Sequence, residues 1–168
     1  MQKVRPFLWF EKDAEEAMNY YVSVFNGSSA KTQESRIVSI GRFPDVALDE
    51  NMKGLEGKVA NGEFELAGVQ ICAFDGGPMF KFNEAMSLYV ECESQEEVDY
   101  FWSQLSAEPE AEACGWLKDK YGVSWQVIPT VLNELLGDDD KEKAGKAMQA
   151  MLKMKKINVE ELRAAFNS

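Results

Sequence analysis

Hydrophobic and polar positions repeat in two segments of the chain that lie at a constant offset of 80 residues. The segment from Phe7 to Phe25 aligns with the segment from Ser87 to Leu105 without a gap. Each begins with an apolar run and continues with apolar positions spaced 3, 4 and 7 residues apart, the period of a helix with one buried face. The repeat therefore predicts two related modules, each opening with a strand and a helix.

The residues before each helical pattern are typical of helix N-termini. Asp13 is expected to cap the first helix, with Glu16 three positions later. Ser94 and Glu97 form a capping-box pattern at the second helix. We therefore expect the two helices to begin near Asp13 and Ser94.

After each helix the period of the apolar positions changes towards two, which indicates short strands separated by turns. The predicted strands are Ser35 to Ile40, Lys58 to Ala67 and Val69 to Phe74 in the first half, and Glu110 to Cys114, Trp116 to Lys118 and Val123 to Ile128 in the second. The sequence thus predicts an α+β fold with two tandem βαβββ modules, at about residues 4–75 and 86–129.

From Pro129 onward the pattern becomes helical. It predicts helices over Thr130 to Leu136, Asp138 to Met154 and Asn158 to Phe166. The acidic run that opens the second of them is favoured by the helix macrodipole. Because no Pro/Gly/Ser-rich linker precedes these helices, we expect residues 130–168 to be a C-terminal extension docked on a domain formed by residues 1–129.

Composition and charge exclude several classes of function. The chain has 168 residues, 45% of them hydrophobic, which suffices for an ordinary core and argues against disorder. Its 18 Lys and Arg against 29 Asp and Glu give a net charge of −11. Such a charge opposes binding to nucleic acid and to anionic membranes, and neither is expected as a partner.

The content of histidine and cysteine restricts the chemistry further. The chain has no histidine, which removes Ser-His-Asp triads and histidine bases, and its three cysteines form neither a CxxC pair nor a disulfide pattern. The first residues do not resemble a signal peptide, and no apolar run is long enough to cross a membrane. We therefore expect a cytoplasmic protein with reduced thiols.

The two modules, the hairpin segment DGGPMFKFNEA before the second, its ending CGWLKDKYGVSWQVIPT and the tail segment KAMQAMLKMKKINVEELRAAF together resemble one family of proteins. This is the vicinal oxygen chelate (glyoxalase/bleomycin resistance/dioxygenase) superfamily, and most closely its PhnB-like branch, also named for a demethylubiquinone methyltransferase-like domain. The resemblance implies a glyoxalase-like open half-barrel sheet, a homodimer, and metal ligands on the first and fourth strands of each module.

The positions that this resemblance assigns to a metal hold Phe7 and Ser87 on the first strands and Cys72 and Gln126 on the fourth strands. Phenylalanine cannot ligate a metal, and serine and glutamine are weak neutral ligands. We therefore predict that the chain binds no metal and no other cofactor. The turn Gly76-Gly77-Pro78 also lacks the spacing and the following helix of a Rossmann-type methyl-donor site.

Strand alternation predicts which side chains face the cavity of such a half-barrel. Phe7, Trp9 and Glu11 are expected to face inward together with Ser87, Tyr89 and Glu91, while Leu8, Phe10, Leu88 and Val90 pack on the helices. Gln70, Cys72 and Phe74 lie opposite Ser124, Gln126 and Ile128, and Lys81 and Lys118 approach only from the rim. These walls favour a neutral, aromatic ligand bound by Phe7, Trp9, Cys72, Ser87, Tyr89 and Gln126.

Three functions are consistent with this lining. The first is a metal-independent small-molecule-binding protein, like the drug-sequestering members of the superfamily. The second is an enzyme of the same superfamily that acts on a small metabolite, with Glu11, Glu91 or Cys72 as base or nucleophile, and the third is an interaction module. The segment Phe80–Phe82 either covers the cavity or contacts a second subunit, and the sequence does not separate these two alternatives.

Overall fold

The structure is a computed structural model that describes residues 2–30, 33–46 and 50–168. The chain divides into two compact units, Met1–Phe82 and Asn83–Ser168. The strands are β1 (Phe7–Phe10), β2 (Arg36–Arg42), β3 (Val59–Leu66), β4 (Val69–Asp75), β5 (Leu88–Cys92), β6 (Trp116–Lys118) and β7 (Ser124–Pro129). The helices are α1 (Ala14–Gly27), α2 (Gln95–Leu105), α3 (Thr130–Leu136), α4 (Lys141–Met151) and α5 (Val159–Phe166).

The first unit is a mixed four-stranded sheet in the order β1-β4-β3-β2, with α1 packed against it. Strand β1 runs parallel to β4 with Phe7 opposite Cys72, and the other pairs are antiparallel. Along β3, Phe64 and Leu66 are buried and alternate with the partly exposed Glu63 and Glu65. The helix thus covers one face of the sheet.

The N-terminus of α1 is held by a residue distant in sequence. Asp13 occupies the predicted cap position, but its side chain makes no capping hydrogen bond. The buried Asp75, at the end of β4, instead accepts hydrogen bonds from the Ala14 N–H at 2.8 Å and the Val59 N–H at 2.9 Å. Asp13 is therefore the N-cap residue, as predicted, but the capping hydrogen bond goes to Asp75, because the parallel pairing of β1 with β4 brings Asp75 to the helix end.

The second unit repeats this arrangement with a smaller sheet in the order β5-β7-β6. Strand β5 runs parallel to β7 with Tyr89 opposite Gln126, and β6 is antiparallel to β7. The hydroxyl of Ser94 accepts a hydrogen bond from the Glu97 N–H, which confirms the predicted cap of α2. The α+β fold class, with two open mixed sheets, is confirmed.

The predicted strand from Glu110 to Cys114 does not form. A single 3-10 turn spans Pro109–Ala111, and only Ala113 pairs with β6, through an isolated bridge to Trp116. Cys114 and Gly115 both have left-handed backbones, with φ of 52° and 87°. The chain therefore turns too tightly there to form a longer series of hydrogen bonds between strands.

The three helices after β7 belong to the second unit and pack against the end of β7. Their buried side chains form a cluster with the end of β7, comprising Ile128, Val131, Leu132, Leu135, Ala147, Ile157 and Leu162. The Gln95 side chain of α2 donates to the Ile157 carbonyl at 3.1 Å and accepts from the Val159 N–H at 2.8 Å. The helices lie where the sequence predicts them, although α4 begins later than expected because Asp140 caps it.

Within the described ranges, no helix combines the length and the hydrophobicity that a membrane span requires.

Candidate ligand-binding site

Four aromatic side chains gather on the side of the first sheet that α1 leaves uncovered. Trp9 contacts Phe74 edge-on at a centroid distance of 4.6 Å and Phe80 at 4.8 Å, and Phe7 lies 5.1 Å from Phe74. Phe7 and Phe80 remain 56% and 58% exposed. We call Phe7, Trp9, Phe74 and Phe80 the aromatic face, because it offers a flat apolar surface to a ligand.

The orientation of Trp9 is fixed from two sides. Its indole N–H donates a hydrogen bond to the Gly77 carbonyl at 2.9 Å. A side chain at Gly76 would collide with the indole ring and would approach the Phe74 ring to 2.7 Å. The packing of Trp9 and Phe74 therefore leaves no room for a side chain at position 76. This agrees with the sequence-based interpretation of the Gly76-Gly77-Pro78 segment as a turn.

Cys72 lies at the base of this face. It pairs in register with Phe7 on one side and Glu63 on the other, and it is 7% exposed. The structure therefore brings Phe7, Trp9 and Cys72 together on one sheet, but only the two aromatic side chains offer substantial surface.

Two carboxylates on the same sheet face were missed by the sequence analysis, which considered only the first and fourth strands. Glu63 forms an ion pair with Arg5 at 3.1 Å, and Glu65 forms one with Arg36 at 3.2 Å. The alternation of Glu63 and Glu65 with the apolar Phe64 is the sequence pattern that could have revealed these two carboxylates. Two arginines therefore lie beside this sheet face, and each is paired with a carboxylate of β3.

The second unit carries a polar counterpart on its own sheet. Gln126 lies opposite Tyr89, and its side-chain amide donates to the Ser87 hydroxyl at 2.9 Å. The Tyr89 hydroxyl accepts a hydrogen bond from the side-chain amide of Asn133, in α3, at 3.2 Å. We call Ser87, Tyr89 and Gln126 the polar face. The structure brings these three predicted residues together and adds Asn133, which no sequence pattern identified.

The other predicted lining residues of the second unit differ from expectation. Ile128 is buried in the cluster with the C-terminal helices, so it offers no surface to a ligand. Ser124 is 2% exposed, and its hydroxyl has no hydrogen-bond partner among the residues that the structure describes. Glu91 is exposed on the edge strand β5, and in the first unit Glu11 is exposed just beyond the end of β1.

Lys118 is the last residue of the edge strand β6 and pairs in register with Ser124. Its ammonium group forms an ion pair with Glu84 at 2.5 Å and lies 4.0 Å from Glu108. The hydrogen bond between Lys118 and Glu84 lowers the pKa of Glu84 and raises that of Lys118. The positive charge of Lys118 is therefore already paired with carboxylates of its own unit.

The described part of the chain contains no cluster of three or more Cys, Asp or Glu residues that could hold a metal ion. Cys72 is the one strong ligand among the four positions that the superfamily resemblance assigns to a metal. Metal independence stays a prediction, which elemental analysis of the purified protein checks.

The buried Cys92 is expected to be unreactive in the folded protein. Burial raises the pKa of its thiol to about 12, and the Glu97 carboxylate contributes in the same direction. The thiol is therefore protonated at pH 8, whereas the thiolate is the reactive form. We expect iodoacetamide at pH 8 to leave Cys92 unlabelled until the protein is unfolded, as measured by peptide mass spectrometry. The partly exposed Cys114 provides the internal comparison. Labelling of native Cys92 at the unfolded rate would contradict this prediction.

Two units that each combine a strand, a helix and an open mixed sheet define a protein of the glyoxalase-like fold class. A family model described as 3-demethylubiquinone-9 3-methyltransferase matches residues 2–128. The chain belongs to this PhnB-like family. The match ends before α3, so the three C-terminal helices lie outside it.

Solved structures agree with this assignment. A Bacillus cereus protein, described as a PhnB protein and a candidate 3-demethylubiquinone-9 3-methyltransferase, is 40% identical, with a TM-score of 0.59. The alignment covers 77% of this chain and 100% of that one. Protein PA1353 from Pseudomonas aeruginosa is 19% identical with a TM-score of 0.56 over 77% of this chain and 98% of that one, which shows a shared fold. No curated protein matches the chain.

Proposed function

We propose that the chain is a metal-independent small-molecule-binding protein whose ligand is neutral and aromatic. The observation that carries this proposal is the aromatic face, where Trp9 contacts Phe74 and Phe80 and donates a hydrogen bond to Gly77. A rigid aromatic surface binds a flat ligand without losing side-chain freedom on binding. Exposure of Phe7 and Phe80 leaves the edge of this surface open to solvent.

The charges around the aromatic face favour a neutral ligand. Glu63 is paired with Arg5 and Glu65 with Arg36, so neither arginine is free for a ligand anion. The net charge of −11 opposes the approach of an anion further. A neutral ring gains aromatic contact, about 0.5–1.5 kcal/mol per pair beyond area burial, without this electrostatic cost.

The methyl donor that the family description implies does not fit this chain. A Rossmann-type donor site needs a glycine-rich turn from strand to helix. The turns from β1 to α1 and from β5 to α2 contain no glycine, and no helix follows Gly76-Gly77 before β5. We therefore derive no methyl transfer for this chain. That the chain is an enzyme using Glu11, Glu91 or Cys72 stays an alternative prediction. That it forms a homodimer also stays a prediction.

The ligand chemistry is tested with a matched pair of probes, neutral 1-naphthol and anionic 1-naphthoate. We expect 1-naphthol to bind more tightly, with an affinity unchanged by EDTA, in a fluorescence titration. Phe80→Ala should weaken 1-naphthol binding about fivefold to tenfold, equivalent to about 1–1.4 kcal/mol, because one aromatic contact is lost.

The control for this test is Met79→Ala, since Met79 is 68% exposed and adjacent to Phe80 but makes no part of the aromatic face. It should leave the affinity unchanged. Equal losses in both variants, or tighter binding of 1-naphthoate, would contradict the proposal. Mass spectrometry of small molecules that copurify under native conditions would then search for the natural ligand.

A further inference from the structure

We propose that the exposed side of helix α4 is a docking surface for a second copy of this chain, which pairs with it antiparallel across a two-fold axis. The contact goes beyond the proposed function, because it lies in the C-terminal helices, outside the residues that the family model matches. It is also separate from the predicted homodimer, which rests on the superfamily resemblance.

The exposed apolar side chains of α4 lie in one row along the helix. Met148 and Leu152 are 46% and 62% exposed, and neither belongs to the cluster that packs against the end of β7. With Lys141 and Gly145 they follow one another at intervals of four, three and four residues, which places all four on one side of the helix. We call Lys141, Gly145, Met148 and Leu152 the α4 row. It is a surface that a partner helix can cover.

Gly145 has no role inside its own chain that explains the missing side chain. It lies within α4, where glycine is less favourable than alanine. A Cβ atom at this position would meet nothing within 4 Å in the described part of the chain. Small residues on a helix surface allow another helix to approach closely. Gly145 is therefore explained by a partner helix that packs over it.

The α4 row is complementary to itself when two copies run antiparallel. Met148 lies about one helical turn after Gly145, so a two-fold axis midway between them places each Met148 over the second copy's Gly145. Methionine is flexible and fills irregular gaps, so it fits the space that a glycine leaves. The same axis places Leu152 beside the aliphatic part of the second copy's Lys141.

The charges at the two ends of α4 favour the antiparallel direction. Three aspartates precede the helix, at positions 138–140, and three lysines follow it, at positions 153, 155 and 156. Lys155 and Lys156 form ion pairs within their own unit. Asp139 and Lys153 are exposed, and neither has an ion-pair partner within residues 2–30, 33–46 and 50–168.

The two-fold axis brings these two unpaired charges together. Asp139 and Lys153 lie at nearly equal distances along the chain on either side of the axis, so each Asp139 comes close to the second copy's Lys153. Opposite charges therefore meet at both ends of the contact. A parallel pair would place like charges together, which opposes association.

The size of the surface indicates a weak contact. The 11 residues of α4 span about 17 Å. Two helices of this length bury less surface than the interface of a typical stable complex. We therefore expect an association that depends on concentration.

The experiment is sedimentation velocity of the full chain over a concentration series that reaches the high micromolar range. We expect the average mass to rise with concentration. Gly145→Gln should weaken this association about tenfold or more, because the added side chain keeps the two helices apart. The thermal midpoint of this variant should not fall, since the side chain meets no atom of its own chain and glutamine favours a helix.

The matched control is Ala164→Gln, which adds a side chain of the same type at an exposed position of α5. It should leave the association unchanged. A homodimer formed through the strands would be insensitive to both substitutions, so the series separates the two contacts. Equal masses of the wild type and Gly145→Gln at every concentration, or an equal loss in Ala164→Gln, would overturn the proposal.

Charge reversal tests the direction of the pairing. Asp139→Lys and Lys153→Asp should each weaken the association about fivefold, because each places like charges at both ends of the contact. The double variant, Asp139→Lys with Lys153→Asp, restores opposite charges and should associate like the wild type. A double variant that associates no better than either single variant would refute antiparallel pairing.

Discussion

Asp75→Ala is expected to lower the free energy of unfolding by about 3–5 kcal/mol, one of the two largest effects that we predict. The substitution removes a buried carboxylate that accepts hydrogen bonds from two backbone N–H groups, those of Ala14 and Val59. Hydrogen bonds to charged groups contribute about 1.5–3 kcal/mol each, and both donors would remain buried without a partner. The measurement is urea unfolding followed by circular dichroism.

The matched control is Asp13→Ala, at the position that the sequence identifies as the helix cap. Because the Asp13 side chain makes no capping hydrogen bond, we expect a change within about 0.5 kcal/mol. An effect of Asp13→Ala as large as that of Asp75→Ala would show that the helix end is held in another way.

Gly115→Ala is expected to cost about 2–5 kcal/mol. The left-handed backbone, with φ of 87°, costs a non-glycine residue about 1–2 kcal/mol. The added methyl group would also lie 2.5 Å from the Ile128 side chain and 3.2 Å from Ile157. Overpacking of this kind typically costs a further 1–3 kcal/mol.

Gly122→Ala separates these two contributions. Gly122 has nearly the same backbone, with φ of 84°, but a methyl group there would meet nothing within 4 Å. We expect Gly122→Ala to show only the backbone cost, so the two variants should differ by about 1–3 kcal/mol in urea unfolding. In Gly115→Ala, hydrogen exchange of α5 should also accelerate, since Gly115 packs against Ile157 just before that helix. Equal losses in both variants would rule out the packing contribution.

Much of the fold could be predicted because its signals are local and repeated. The period of the apolar positions located α1 and α2, and alternation located β3 and β4 to within two residues. The capping role of Asp75 could not be predicted, because it depends on a pairing between β1 and β4 across more than 60 residues of sequence. The missing strand near Glu110 has a local cause, the turn at Cys114 and Gly115, which alternation does not reveal.

The candidate site was predicted in part for the same reason. Alternation placed Phe7, Trp9 and Cys72 on one face, and Ser87, Tyr89 and Gln126 on another, as the structure has them. It could not reveal that Ile128 is covered, since that depends on how helices α3 to α5 fold back. The role of Asn133 at Tyr89 depends on the same folding back.

The link between the C-terminal helices and the β6 turn affects the order in which the protein can form during its synthesis. The N–H groups of Cys114 and Gly115 donate to the carbonyls of Met154 and Lys155, each at 2.8 Å. The four strands of the first sheet and helix α1 all precede Phe82 in the chain, so they can pair before the second unit has been synthesised. In the second unit, the buried cluster around Ile128 is incomplete until Leu162 has emerged. A chain released or stalled between these two points exposes an unfinished apolar surface in its second half, and such surface is what chaperones cover.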